Sequence, residues 1–214
     1  MRWIHSLGIA FSMYSKIPVP KVRWTNEAMQ YTFCFFPLVG VAEGVLLWGM
    51  GMVLYGLRDR NRLPAIFVAI VLTILPLLVT GGIHMDGFLD TTDARRSYQE
   101  PEKKLAILKD PHTGAFALIG LGVYLLWSVA VWSVADRAVL PGMACAFVLS
   151  RTLSGLSVTL CKGAKKDGLA AAFHKSARER AVCVSTVCYF VGCAGVLCLT
   201  SGVLIFALLT LTLA

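Results

Sequence analysis

The sequence holds 214 residues, of which 57% are hydrophobic and only 15% charged, with a formal net charge of +8. Soluble domains carry about a quarter charged residues and about half apolar ones, so an ordinary soluble globular domain is excluded. The positive charge does not point to nucleic acid either: 15 of the 20 Lys and Arg residues fall in three stretches, the N-terminus, 81–110 and 162–180.

Read in chain order, Arg2 leads an apolar stretch that runs to Tyr14 and straight into Lys16-Ile17-Pro18-Val19-Pro20. No small-residue cleavage site intervenes, so this reads as a short retained interfacial or re-entrant segment. A helix needs about 20 apolar residues to cross a bilayer. Residues 31–57, with Glu43 as the one internal charge, form the first expected span; its Gly40-x-x-x-Gly44 offers a small-residue face for close packing. Residues 63–83 are uncharged and form the second, with a kink or break expected near Pro76. Residues 114–135 are uncharged, residues 138–161 hold only Arg151, and residues 181–200 are uncharged, giving three more. Residues 203–214 are too short to cross, so the chain reads as ending inside a sixth span. An open sheet would leave unpaired backbone groups in lipid. The expected fold is therefore all-α: one transmembrane domain over 1–214, a polytopic integral membrane helix bundle of about six or more spans. An even number of spans separates the three basic stretches, which places them together on the cytoplasmic side. Arg58, Arg60 and Arg62 run against that bias. The seven cysteines form no CxxC pair and read as small apolar helix residues. No internal repeat supports a transporter architecture.

The chemistry is concentrated in Gly81-Gly82-Ile83-His84-Met85-Asp86-Gly87-Phe88-Leu89-Asp90-Thr91-Thr92-Asp93, a cytoplasmic acidic helical loop. Asp86, Asp90 and Asp93 stand at i, i+4 and i+7, one face of a helix. Like charges at that spacing repel, so a cation is expected beside them. Hard carboxylate oxygens suit Mg²⁺, which binds through few carboxylates plus water and phosphate oxygens. The same stripe would also suit a solvated face paired with Arg95, Arg96, Lys103 and Lys104. His84 falls on the opposite face. Gly81 and Gly82 allow close approach of a backbone or a ligand. Lys109-Asp110-Pro111-His112-Thr113-Gly114 precedes the third span, with Thr113 as the expected N-cap. Arg95, Lys109 and Arg151 are cations for phosphate oxygens.

These residues, followed by Leu108-Lys109-Asp110 and Gly114, resemble the signature of the cobalamin synthase family, the adenosylcobinamide-GDP ribazoletransferases. Lys16-Ile17-Pro18-Val19-Pro20, Pro37-Leu38-Val39-Gly40, Arg151, Lys166-Asp167-Gly168-Leu169 and Phe173 are similar to further parts of that family. The likeness covers about residues 11–175. Ala94 stands where the family carries glycine, and Pro111 where it carries serine. The family's C-terminal acidic stretch has no counterpart in this chain.

The resemblance implies a Mg²⁺-dependent enzyme of the bacterial cytoplasmic (inner) membrane. Its substrates would be adenosylcobinamide-GDP and α-ribazole or α-ribazole 5′-phosphate; GMP is released and adenosylcobalamin or its phosphate formed. It implies Asp86, Asp90, Asp93 and His84 as catalytic, the three aspartates as metal ligands, and Arg95, Lys109, Asp110, Arg151, Gly81 and Gly82 as substrate-binding. The expected partners are these substrates and the lipid bilayer, with no nucleic acid; self-association is left open. A CDP-alcohol phosphotransferase is the nearest alternative, but Asp90-x-x-Asp93-Ala94-Arg95 lacks that family's glycine and its downstream aspartate pair. A transporter subunit is the alternative from another class.

Overall fold

Long uncharged runs leave the backbone no water to bond with, and the helix is the structure that pairs every amide within its own segment. The computed structural model describes residues 2–163 and 168–200, and among them there are helices and no strands. They are α1 (Arg2–Tyr14), α2 (Asn26–Met29), α3 (Thr32–Asp59), α4 (Ala65–Thr80), α5 (Ile83–Arg96), α6 (Pro101–Ile107), α7 (Ala115–Val134), α8 (Leu140–Leu160), α9 (Leu169–Ser176) and α10 (Glu179–Thr200), with a 3₁₀ turn at Arg137–Val139 before α8. Four helical stretches are long and apolar enough to cross a membrane: α3, α7, Arg137–Leu160 and α10. Together, α4 and α5 are apolar enough to count as a fifth if the pair, bent by 95°, is one broken span and not a re-entrant loop. The expected sixth span lies outside the described residues.

The chain divides into two compact units, Met1–Val53 with Asp136–Ala214, and Leu54–Ala135. In the first, α3 lies directly on α8. A Cβ at Gly40 would stand 2.5 Å from the Phe147 carbonyl oxygen, and one at Gly44 would stand 2.9 Å from Ala144 Cα. The Gly40-x-x-x-Gly44 face is thus used as its spacing predicts, for backbone contact that no larger residue allows. Cys145, Val148 and Leu149 of α8 bury against Cys193 and Leu197 of α10. A second cluster joins Ile9 and Ala10 of α1 to Phe33, Phe36 and Val39 of α3, with Phe173 and Val182. The cysteines are free thiols among the described residues.

In the second unit, α4 and α5 both pack on α7. The second expected span does not break at Pro76, which sits inside α4; the helix ends at Thr80 instead. Gly81 and Gly82 both take left-handed conformations, φ +66° and +79°. The Gly82 amide bonds back to the Leu77 carbonyl at 2.9 Å, closing the helix in a Schellman arrangement. The sharp bend follows because two successive glycines accept a backbone that other residues resist. Arg58 answers for part of the charge that runs against the positive-inside bias. Its Nη1 donates to the Ala135 carbonyl at 2.9 Å, capping the negative end of α7.

Candidate functional site: the aspartate helix

The aspartate segment is helical over Ile83–Arg96, as the spacing predicts. With Gly82 as its N-cap, the helix begins without a side-chain cap, and Thr91 and Thr92 turn their hydroxyls back onto the Gly87 and Phe88 carbonyls. Gly81 and Gly82 therefore have a conformational duty, the turn between α4 and α5. At Gly82 a Cβ would meet nothing, so it is φ and not space that requires glycine there.

The three aspartates do not share one environment. Asp93 is half-buried, and both its oxygens are engaged. Oδ2 accepts the Gly114 amide at 2.6 Å and Oδ1 accepts the Ala117 amide at 2.8 Å. Asp93 thus serves as the N-terminal cap of α7, supplied from 21 residues upstream, where its charge meets the positive end of the helix dipole. This role replaces the expected cap by Thr113: the N-cap position belongs to Gly114, whose own side chain offers no acceptor. The same contact explains the glycine. A Cβ on residue 114 would lie 2.7 Å from both Asp93 carboxylate oxygens.

Asp86 is exposed and Asp90 half-buried. Neither has a hydrogen-bond or ion-pair partner among the described residues. They stand one turn apart, so two uncommitted carboxylates share a face. Among the described residues no three His, Cys, Asp or Glu side chains converge as a metal-binding group. The donor chemistry nonetheless suits Mg²⁺, which commonly takes one or two carboxylates and completes its shell with water and phosphate oxygens. Gly87, between the two, leaves the flanking space open.

The other predicted residues distribute as follows. His84 is exposed in the first turn of α5. Lys109 and Asp110 are exposed after α6. Asp110 Oδ1 accepts the His112 amide at 3.0 Å and meets the His112 ring at 2.6 Å. The His112 amide, followed by the His112 ring, holds the Asp110 carboxyl below its ordinary range. Arg95 lies half a helical turn around from Asp86, on the face of α5 that borders a groove against α7. Arg151 belongs to the first unit, where it is buried and paired with buried Glu43 at 2.5 Å. Lys166 and Asp167 lie outside the described residues, and Phe173 is a core residue.

Sequence reasoning missed the Asp93 cap, and it allowed an acidic partner for Arg151 without matching it to Glu43. The only local hint of the Asp93 cap is that α7 starts after a glycine, with no strong acceptor in register. The Glu43–Arg151 pair had a clearer signal: single charges of opposite sign, each alone in an otherwise apolar span.

The chain matches the family model described as cobalamin-5-phosphate synthase over residues 6–214. It is 47% identical over 191 residues to an adenosylcobinamide-GDP ribazoletransferase of Lachnoclostridium phytofermentans, covering 89% of this chain and 72% of the relative. A protein of the same name from Desulfitobacterium hafniense is 32% identical over 181 residues, 82% of this chain and 69% of the relative. One from Clostridium perfringens is 33% identical over 121 residues, 56% of this chain and 47% of the relative, so the match spans about half of that protein. No solved structure matches the chain.

Proposed function

The chain belongs to the cobalamin-5-phosphate synthase family, and we propose that it transfers the adenosylcobinamide-phosphate moiety from adenosylcobinamide-GDP to α-ribazole or α-ribazole 5′-phosphate. In this reaction an acceptor hydroxyl oxygen bonds to the corrinoid-side phosphorus, the diphosphate P–O bond breaks, GMP leaves, and the hydroxyl proton passes to solvent. The observation that carries the reading is the 47% identity to a ribazoletransferase across 89% of the chain. The geometry agrees with it, because α5 presents two uncommitted carboxylates on one face.

Asp86 and Asp90 would hold Mg²⁺, which when bound supplies positive charge to the diphosphate oxygens. Asp93 acts from beneath: bonded to the Gly114 and Ala117 amides, it fixes α5 on α7 and so fixes the direction of its two neighbours. Lys109, exposed ahead of α7, supplies a cation for phosphate oxygens. Arg95 faces away from the carboxylates, and Arg151 is neutralised by Glu43, so neither is assigned to the diphosphate. The apolar helices support a place in a membrane, and the clustering of basic residues supports the bacterial cytoplasmic membrane with α5 on its cytoplasmic side; a sixth span would be added to the four or five among the described residues. The transporter and CDP-alcohol readings have no support in the family match.

The test is GMP release from adenosylcobinamide-GDP by the purified chain across a Mg²⁺ titration. Asp90→Asn should lower turnover about 10²–10³-fold, the range seen when one well-placed electrostatic contact is lost. No GMP release by the wild-type chain at any Mg²⁺ concentration would overturn the assignment. A near-native rate and unchanged Mg²⁺ dependence in Asp90→Asn would leave the activity but remove the metal site.

A further inference from the structure

The face of α5 turned away from Asp86 borders a groove of about 790 Å³ against α7. Direction within it is set by two contacts. The Asp93 carboxylate meets the start of α7 at Gly114, while the Phe88 ring lies 6.1 Å from the Tyr124 ring further along. Arg95 and Arg96 therefore lie toward the N-terminal end of α7, and the apolar lining runs from Phe116 to Ser128, about 18 Å of helix. Neither guanidinium has a hydrogen-bond or ion-pair partner among the described residues. Cations in the last turn of a helix suit its dipole wherever they point; the dipole does not explain why both border an aromatic groove. Tyr98, also on the lining, is held in a left-handed conformation at φ +52° with its side chain 85% exposed. Residues with a Cβ resist that conformation, and here it presents an amphipathic ring beside the two arginines. Trp127 is 72% exposed in the same groove, on a helix apolar enough to cross a membrane.

We propose that the α5–α7 groove binds an anionic phospholipid, with its phosphate at Arg95 and Arg96 and one acyl chain along Phe116, Val123 and Trp127. Two cations at one end of an apolar strip complement an amphiphile with a negative head. The walls beyond the arginines are mainly apolar, lined by Phe88, Phe116, Ile119, Val123 and Trp127, which suits an acyl chain better than a nucleotide base and sugar. The bound lipid would hold the back of α5 at the membrane surface while its front carries Asp86 and Asp90. The inference rests on the reading that α7 crosses a bilayer.

The experiment measures lipid retained by the purified full chain, by native mass spectrometry, from vesicles of phosphatidylcholine with phosphatidylglycerol. The wild type should retain phosphatidylglycerol in preference. A basic residue near an anionic surface contributes roughly fivefold to binding, so R95Q/R96Q should lose about 25-fold of that preference. R95K/R96K should keep most of it, and K103Q/K104Q on the neighbouring α6 should keep all of it. An unchanged preference in R95Q/R96Q, an equal loss in K103Q/K104Q, or displacement of the lipid by inorganic phosphate or glycerol 3-phosphate would each overturn the site. A wild-type chain that fails to enter vesicles would instead overturn the membrane reading beneath it.

Discussion

Replacing Asp93 by Asn should loosen the start of α7, whereas replacing Asp90 by Asn should not. An Asn side chain keeps one carbonyl oxygen, so in either amide orientation one of the two donors, Gly114 N–H or Ala117 N–H, faces an NH₂ group in place of an acceptor. The loss is one hydrogen bond to a charged group, about 1.5–3 kcal/mol. The interaction of the charge with the helix dipole adds about 0.3–1 kcal/mol. A total near 2–4 kcal/mol corresponds to roughly 30- to 1,000-fold faster local opening. Asp90 has no partner among the described residues and repels Asp86 one turn away, so Asp90→Asn should be neutral or stabilising by about 0.2–0.5 kcal/mol. Hydrogen exchange of peptides covering residues 112–120, read by mass spectrometry on the purified chain, reports the opening directly. Unchanged protection across Gly114–Ala117 in Asp93→Asn would refute the capping role and return Asp93 to the metal-binding face.

Two further outcomes follow from the first unit. Gly40→Val should destabilise the α3–α8 packing by several kcal/mol, because the new carbons meet backbone atoms of Phe147 and Val148 that cannot swing aside; thermal denaturation in detergent, with Gly49→Val as the control in open space, measures it. Glu43→Gln should destabilise the first unit by removing the carboxylate that is ion-paired with buried Arg151, and pairing it with Arg151→Met should recover part of that loss; a double-mutant cycle on the same assay decides it.

The helices were legible because membrane spans write themselves as long uncharged runs: residues 114–135 and 181–200 each became one helix within a residue or two at either end. The Gly40-x-x-x-Gly44 contact was legible for the same reason, since only small residues permit it. The second span ended within a few residues of its expected bound, but the break was expected at the wrong place: Pro76 is absorbed in α4, and the paired left-handed glycines make the turn. Within the site, the one-face spacing of the aspartates was visible, but their division of labour was not. Helical periodicity places side chains around an axis; it carries no information about which amide, 21 residues later, will face them.

That division gives the aspartate helix its physical logic. Three like charges on one face would repel and splay if all were equally free. Committing Asp93 to the positive end of α7 disposes of one charge at a place where it stabilises the fold. It also converts a flexible acidic stripe into a fixed pair, because α5 can no longer rotate without breaking two short bonds to α7. Asp86, exposed, and Asp90, half-buried, are then left with carboxylates unpartnered among the described residues, the donor type that a divalent cation with phosphate ligands takes. The same rotation that brings Asp93 to Gly114 brings Arg95 to the groove on the other side. The carboxylate face and the arginine face of α5 are thus both oriented by one contact, and the Asp93 carboxylate fills the space a side chain on residue 114 would need.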